Sequence, residues 1–554
     1  MKDVRECKIL HILWDKIIRI IIILQKREDT VKNENKFLSE KTLEIMSVSV
    51  YNVRGPQGND FTNIDTKKIV EWGIRFMVFS SLFFILFFLP LNLFFYCFMP
   101  NIKAKNIEML IFSLIFYSWG GPKYLLLLMG MVWIAWFSAL RIEQYRRNQR
   151  KRKQWLTAGC VGLALILGIF KYLTFFLTNV QALFHVPSVV PQIVLPIGIS
   201  FYTFQLLSYV VDVYRGEVQA QKKYWMLLLY AGLFHQCIAG PIVRYEYVAD
   251  ELENRSARLP LIGKGIRRFF VGLAKKAVLA NSCASIADSL LPSITQELAG
   301  IPAAGLWVGM LMYMLQIYLD FSAYSDMAIG MGQMIGLHYE ENFNYPYMAV
   351  SVKDFWRRWH MTLSTFFRDY VYIPLGGSRC GKLKNVRNLF VVWLLTGFWH
   401  GASWNYVLWG LYFFVFLLME RAFLGKLLEK IPSVFGHIYA LIVVFFGWVL
   451  FRSENMGNIL VILKGMFGKN ENGFMNIHTE IILKNNLFFM IFAVLACTPL
   501  FKKGKEMLLH WYSRRSRLAY PVYVGQVVLM MILWGLSVLA LVGNSYNPFL
   551  YFQF

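Results

Sequence analysis

Residues 394–410 read LLTGFWHGASWNYVLWG, an apolar and aromatic run, otherwise uncharged, in which His400 is the one side chain that titrates near neutral pH. It sits inside a longer window, 388–419, that is apolar enough for a lipid environment. A helix needs roughly 20 mostly apolar residues to cross a bilayer. The same reading carried outward finds comparable runs at 77–99, 107–140 (broken at Gly120-Gly121-Pro122), 156–178, 192–212, 223–243, 265–291, 303–336, 436–452, 482–500 and 520–543. The runs predict an all-α polytopic membrane protein with roughly eleven spans plus re-entrant or interfacial helices. Composition agrees: 57% of the 554 residues are hydrophobic and 16% charged, where soluble domains carry about 25% charged residues.

The net charge of +24 is concentrated in short loops beside apolar runs. Arg141–Lys153, Arg379–Arg387 and Lys502–Arg517 each hold several Lys and Arg. Such loops stay on the cytoplasmic side of a membrane and attract anionic lipid. Their shortness and juxtamembrane position exclude nucleic acid as the partner. Seven cysteines are scattered without a CxxC pair, which excludes a zinc knuckle and a disulfide framework.

Residues 1–76 differ from the rest. Ile9–Leu24 is apolar but interrupted by Asp15, Lys16 and Arg19, which suits an interfacial helix. A charged stretch and a Gly/Pro-containing polar stretch follow. The segment is expected to be a polar extension, disordered or arising from an over-long reading of the start, with the membrane domain spanning 77–554.

Ionisable groups at membrane depth mark function by default. The first group lies in DFWRRWHMTLSTFFRDYVYIPLGGSR, 354–379. Here Arg357, Arg358, His360, Arg368 and Asp369 stand among Trp356, Phe355 and Trp359. On a continuous helix, His360 and Ser364 would share a face, as would Asp354 and Arg358. The pattern is too charged for a lipid-facing span and fits a helix at an interface or lining a wet cavity, ended by Pro374 and Gly376-Gly377. The second is His400 itself. Gly397, Gly401 and Ala402 permit close backbone approach there, and Trp399, Trp404 and Asn405 flank it. A neutral imidazole can take the proton of an attacking hydroxyl. A helix–helix hydrogen bond is the alternative role for a membrane histidine. Asp212, Asp320, Asp326 and Glu420 also fall near or within apolar runs; pairing with a basic neighbour, such as Asp212 with Arg215, is the ordinary account, and Asp320 and Asp326 are in addition candidates for lining a substrate passage. The remaining histidines read as structural or loop residues. Nucleophile elbow, HExxH and Walker A patterns are absent, and no acidic metal cluster is visible, so no metal is expected. Gly305-x-x-x-Gly309 and Gly332-x-x-x-Gly336 suit close helix packing.

These segments, together with MVFSSLFFILFFLP (77–90), LPIGISFYTFQLLSYVVDVYRG (195–216) and YLDFSAYSDMAIGMG (318–332), resemble the membrane-bound O-acyltransferases, in the branch that acetylates alginate. The resemblance runs in order from residue 77 onward. It implies tilted helices around a central tunnel, His400 as the catalytic base and His360 as a second functional histidine. It implies a thioester donor, acetyl-CoA or an acyl carrier, with no permanently bound cofactor. It also implies an extracytoplasmic partner protein, a polysaccharide acceptor and the plasma membrane of a bacterium. Relatives that pass D-alanine to teichoic acid share the WRRWH and WHG elements, so that reaction stays open. A polysaccharide or lipid-linked-sugar transporter also has many spans and a polar cavity, though no paired half-sequences are visible here.

Overall fold

The computed structural model describes residues 78–543 apart from 186–189, 192, 239, 470–471 and 514–518. The expectations for residues 1–76 and for a start at Met77 lie outside them. The described residues are helical, with no strand among them. Eight helices among them are long and apolar enough to cross a membrane. They are α1 (Pro122–Gln144), α2 (Gln149–Phe184), α3 (Leu259–Leu290), α4 (Ala303–Ile335), α5 (Trp404–Leu428), α6 (Ser433–Arg452), α7 (Ile477–Ala496) and α8 (Tyr520–Gly543). The shortfall from roughly eleven has local causes. The run at 192–212 becomes the 17-residue helix Ile199–Arg215. The run at 223–243 breaks into Tyr224–Gly232 and Phe234–Cys237. The run at 77–99 yields only the short apolar helix Phe84–Phe98, while the run at 388–419, broken at Gly401, still supplies α5. Apolarity marks a segment as buried in lipid or in protein, and length alone separates the two.

Side chains on α2, α7 and α8 such as Phe176, Phe488 and Leu529 face outward, as lipid contact requires. Lipid supplies no hydrophobic drive between helices, so packing and polar links hold them. α3 and α4 are joined by ion pairs. Lys276 Nζ lies 2.9 Å from the Asp320 carboxylate, both almost fully buried. Arg268 and Lys275 hold Asp326 at 2.9 and 2.5 Å, and Arg268 also reaches Glu341. Asp320 and Asp326 are therefore bound between helices. Gly309 packs closely against Leu291. The second glycine pair behaves otherwise: Gly336 ends α4 in the left-handed region at φ +86°, and is no helix-packing residue.

The buried side chains form two large apolar clusters, one drawn mainly from residues 79–252 and 324–339, the other from 279–359 and 393–497. A small third cluster of Phe201, Phe204, Ile242, Leu363, Phe366, Phe367 and Trp399 joins segments from both regions. The candidate site lies beside it.

Candidate active site

The stretch from 352 to 400 is not one helix and a loop. It forms a short helix, α9 (Val352–Arg358), a break at Trp359-His360, a second short helix, α10 (Met361–Phe367), a π-helical turn at Arg368–Tyr372, and then α11 (Lys382–His400). α9 starts at Ser351, whose hydroxyl caps the Asp354 N–H at 3.0 Å. The Glu420 carboxylate, projecting from the π-helical turn within α5, accepts the Val352 and Lys353 N–H groups at 2.6 and 3.0 Å. Glu420 thus caps a helix and needs no basic partner. Asp354 and Arg358 form the expected i,i+4 pair at 3.0 Å.

The expected shared face of His360 and Ser364 is not formed. His360 has φ +46°, a left-handed conformation uncommon outside glycine, so the helix stops there. Ser364 donates its N–H to the His360 carbonyl at 3.1 Å and its hydroxyl to the Trp356 carbonyl at 3.2 Å. The break turns Trp359 toward Phe343 and Trp448, with ring centroids 5.1 and 4.9 Å away. The next side chain, His360, goes the other way, against Phe321 at 4.7 Å and Trp399 at 5.7 Å. Its Nδ1 lies 3.0 Å from Asn342 Oδ1, while its Nε2 is buried with no hydrogen-bond partner. Backbone strain of this kind persists where the surroundings over-determine it, and it concentrates at functional sites.

α11 delivers the second histidine. It packs on α5 at glycine contacts: a Cβ on Gly397 would stand 2.5 Å from the Tyr406 carbonyl oxygen, and one on Gly410 would stand 2.4 Å from that of Trp393. His400 is the last residue of α11, and Gly401 leaves it fully extended. The imidazole is buried among the edges and faces of Trp399 (4.8 Å), Trp409 (4.8 Å) and Phe451 (5.1 Å). Its Nδ1 has no hydrogen-bond partner. This is not the helix–helix hydrogen bond that a structural membrane histidine would make. Trp399 touches both histidine rings and is the shared wall of the site.

Two residues that sequence reading did not single out hold this end of α11. Lys171 Nζ, buried in α2, donates to the Trp399 carbonyl and lies 3.3 Å from Ser200 Oγ. Tyr172 Oη donates to the Phe398 carbonyl at 2.7 Å. Helix C-terminal carbonyls have no intrahelical donor, and a cation there also meets the negative end of the helix dipole. Lys171 is a charge in the run GIFKYLTFF, so the rule that marks His400 as expensive in lipid marks it too. Asn342, in the loop after α4, carried no comparable signal.

The other predicted residues separate. Trp356 packs on Trp409 (5.5 Å), one ring removed from His400. Asn405 is fully buried with its Oδ1 unpaired, and its Nδ2 lies 3.5 Å from the Leu450 carbonyl. Arg357 is exposed and Arg358 is taken by Asp354. Arg368 and Asp369 lie at the far end of α10. There the Asp369 carboxylate meets Arg244 and Arg368, both at 2.6 Å. Burial alone would raise that carboxyl, but hydrogen bonds from Arg368 and Arg244 and their charges outweigh it and hold it below the ordinary carboxylate range. Arg215 donates to the Asp369 carbonyl (2.8 Å), while Asp212 accepts from Tyr370 (2.7 Å); the expected Asp212–Arg215 pair does not form. Folding also gathers Asp212, Glu217 and Glu246 within 4.8 Å of one another, a carboxylate group the linear sequence conceals. Asp212 within it is bonded to Tyr370.

Eight span-length helices and a buried, histidine-bearing aromatic site mark a multi-pass membrane protein. The family model of the membrane-bound O-acyltransferases matches residues 74–462, and the chain belongs to that family; it is an O-acyltransferase. A probable alginate O-acetylase AlgI of Azotobacter vinelandii is 35% identical over 508 residues, covering 86% of this chain and all of that protein. The peptidoglycan O-acetyltransferase of Helicobacter pylori strain 26695 is 32% identical over 522 residues, covering 86% of this chain and 98% of its own. The teichoic acid D-alanyltransferase of Bacillus subtilis 168 is 30% identical over 275 residues, covering 47% of this chain and 69% of its own.

Proposed function

We propose that this protein moves an acetyl group from a cytoplasmic thioester donor, acetyl-CoA or an acyl carrier, across a bacterial plasma membrane to hydroxyls of a cell-envelope polysaccharide. An extracytoplasmic partner protein receives or places the acetyl group. The carrying observation is His400: a buried imidazole with an unpaired Nδ1, ending a helix of 19 residues that starts at the basic turn. At 1.5 Å per residue α11 is about 28 Å long, close to the roughly 30 Å hydrocarbon thickness. The basic turn belongs to the cytoplasmic side. His400 therefore stands near the opposite side, where an acyl chain entering from the cytoplasm would meet an acceptor from outside.

His400 accepts the proton of the attacking hydroxyl as its oxygen bonds to the thioester carbonyl carbon. The C–S bond then breaks, and the thiolate leaves with the proton returned by the imidazolium. No cofactor is held permanently in this scheme. The surrounding Trp399, Trp409 and Phe451 exclude water, which limits thioester hydrolysis. His360 lies on the other side of Trp399 and takes part through its free Nε2. Acetyl is favoured over D-alanyl because the acetylating relatives align over 86% of the chain and the D-alanylating one over 47%.

The test is His400→Ala in the natural host, with protein level, polymer quantity and polymer-bound ester measured together. The expected result is normal protein, unchanged polymer and loss of acetyl ester. Loss of the polymer itself would point to transport, and loss of ester-linked alanine would point to the D-alanyl reaction.

A further inference from the structure

We propose that Asn342 is a positioning residue that holds the His360 imidazole in the tautomer protonated at Nδ1, leaving the lone pair on Nε2. The inference rests on the reading that His360 takes part in acyl transfer. The orientation of the Asn342 amide is set by its neighbours. The Thr362 N–H can only donate, and it points at Asn342 Oδ1 at 3.4 Å. The Thr362 hydroxyl accepts the Ile242 N–H at 3.0 Å and, with its own proton, can donate to the same Asn342 oxygen at 2.9 Å. Asn342 Nδ2 meanwhile donates to Ser325 Oγ at 3.1 Å. The Thr362 N–H is the contact that decides, because it places the amide oxygen, not the nitrogen, toward residues 360–362; the two hydroxyls can donate or accept and are compatible with that orientation.

His360 Nδ1 lies 3.0 Å from that oxygen and can bond to it only as a donor. A neutral imidazole carries one N–H, so Nε2 is an acceptor. It is buried and unpaired. A buried acceptor without a donor carries a desolvation penalty that a substrate donor relieves. The chemistry that fits is an O–H or amide N–H of a substrate, from the hydroxyl acceptor or from the arm of the thioester donor. The backbone is held to match. The Met361 N–H donates to the Asn342 carbonyl at 2.9 Å, and the Asn344 N–H donates to the Arg358 carbonyl at 2.9 Å. These two bonds clamp the left-handed His360 between the segments they join.

The test uses the full-length protein labelled with ¹⁵N-histidine in lipid nanodiscs, with His360→Gln to assign the signal. The expected signature for His360 is a protonated Nδ1 and an unprotonated Nε2. Asn342→Leu should abolish that signature and lower kcat by about tenfold to a hundredfold with little change in KM, by analogy with the loss of an orienting partner of a metal-ligating histidine. Asn342→Asp also accepts the Nδ1 proton and should restore the signature and most of kcat. A wild-type His360 protonated at Nε2, or an Asn342→Leu protein with an unchanged tautomer, overturns the proposal. If the signature is as expected but His360→Ala keeps full activity, the role of His360 in transfer fails while the assignment of Asn342 stands.

Discussion

At the scale of single residues, the site is expensive polar chemistry held in an apolar place by specific donors. Lys171 shows the cost. Its Nζ serves the carbonyl of Trp399, the residue that touches both histidines. Lys171→Met removes that donor without removing bulk. A hydrogen bond from a charged donor contributes about 1.5–3 kcal/mol. The variant is expected to unfold at a lower temperature in detergent, and to lose kcat because α11 ends less well fixed. Wild-type kcat in Lys171→Met would refute a link between this bond and His400. Asp369 makes a second residue-scale prediction. Its folded-state pKa is depressed, so its stabilisation is present above the ordinary carboxylate pKa of about 3.9 and is lost as pH falls through the lower folded value. The stability difference between wild type and Asp369→Asn should therefore be constant from pH 8 to 5 in thermal melts. A difference that shrinks within that window would mean the carboxyl is not held low. His400 was legible in the sequence because it stands alone in an apolar run. His360 was legible as a residue but not in its conformation, since a left-handed break leaves no periodic trace. Asn342 was not legible, because a polar loop residue looks the same whether it faces water or a buried imidazole.

At the scale of elements, the position of His400 depends on how closely α11 and α5 approach. That approach rests on Gly397 and Gly410, each facing a backbone carbonyl of the other helix at a distance no Cβ tolerates. Gly410→Val must push the helices apart or tilt one. A misplacement of about 1 Å at a catalytic group can cost on the order of 100-fold in rate. The expected outcome is a protein that reaches the membrane in normal amount and transfers acyl groups at a small fraction of the wild-type rate. Unaltered transfer by Gly410→Val would show that the glycine contact does not set the site. The same scale explains the overcounted spans. Windows of apolarity at 192–212 and 223–243 are real, but their helices are 17, 9 and 4 residues long and almost wholly buried by protein. Sequence alone cannot say whether an apolar surface meets lipid or another helix, because both are equally dry.

At the scale of the whole molecule, the basic loops and the packing agree on one orientation, and that orientation decides whether transfer can cross the membrane. The start of α2 lies beside the end of Ile199–Arg215, where Arg152 donates to the Tyr214 carbonyl. That places the basic loop 141–153 and the arginines around Asp369 at one end. The basic turn before α11 follows directly from the π-helical turn that carries Asp369. The opposite end holds the start of α4, whose Ala303 and Ala304 N–H groups donate to the Gly473 and Phe474 carbonyls. Arg452 at the end of α6 also pairs there with Asp288, near the end of α3, at 2.6 Å. The positive-inside rule assigns the first end to the cytoplasm. Cysteines introduced at Arg379 and Lys469, both exposed, sample the two ends. On intact cells a membrane-impermeant maleimide should label Lys469→Cys above the parent's background and leave Arg379→Cys unlabelled until the cells are opened. Labelling of Arg379→Cys from outside would invert the molecule. His400 would then lie near the cytoplasmic surface, where a donor and a water-soluble acceptor could meet without any acyl group crossing the bilayer.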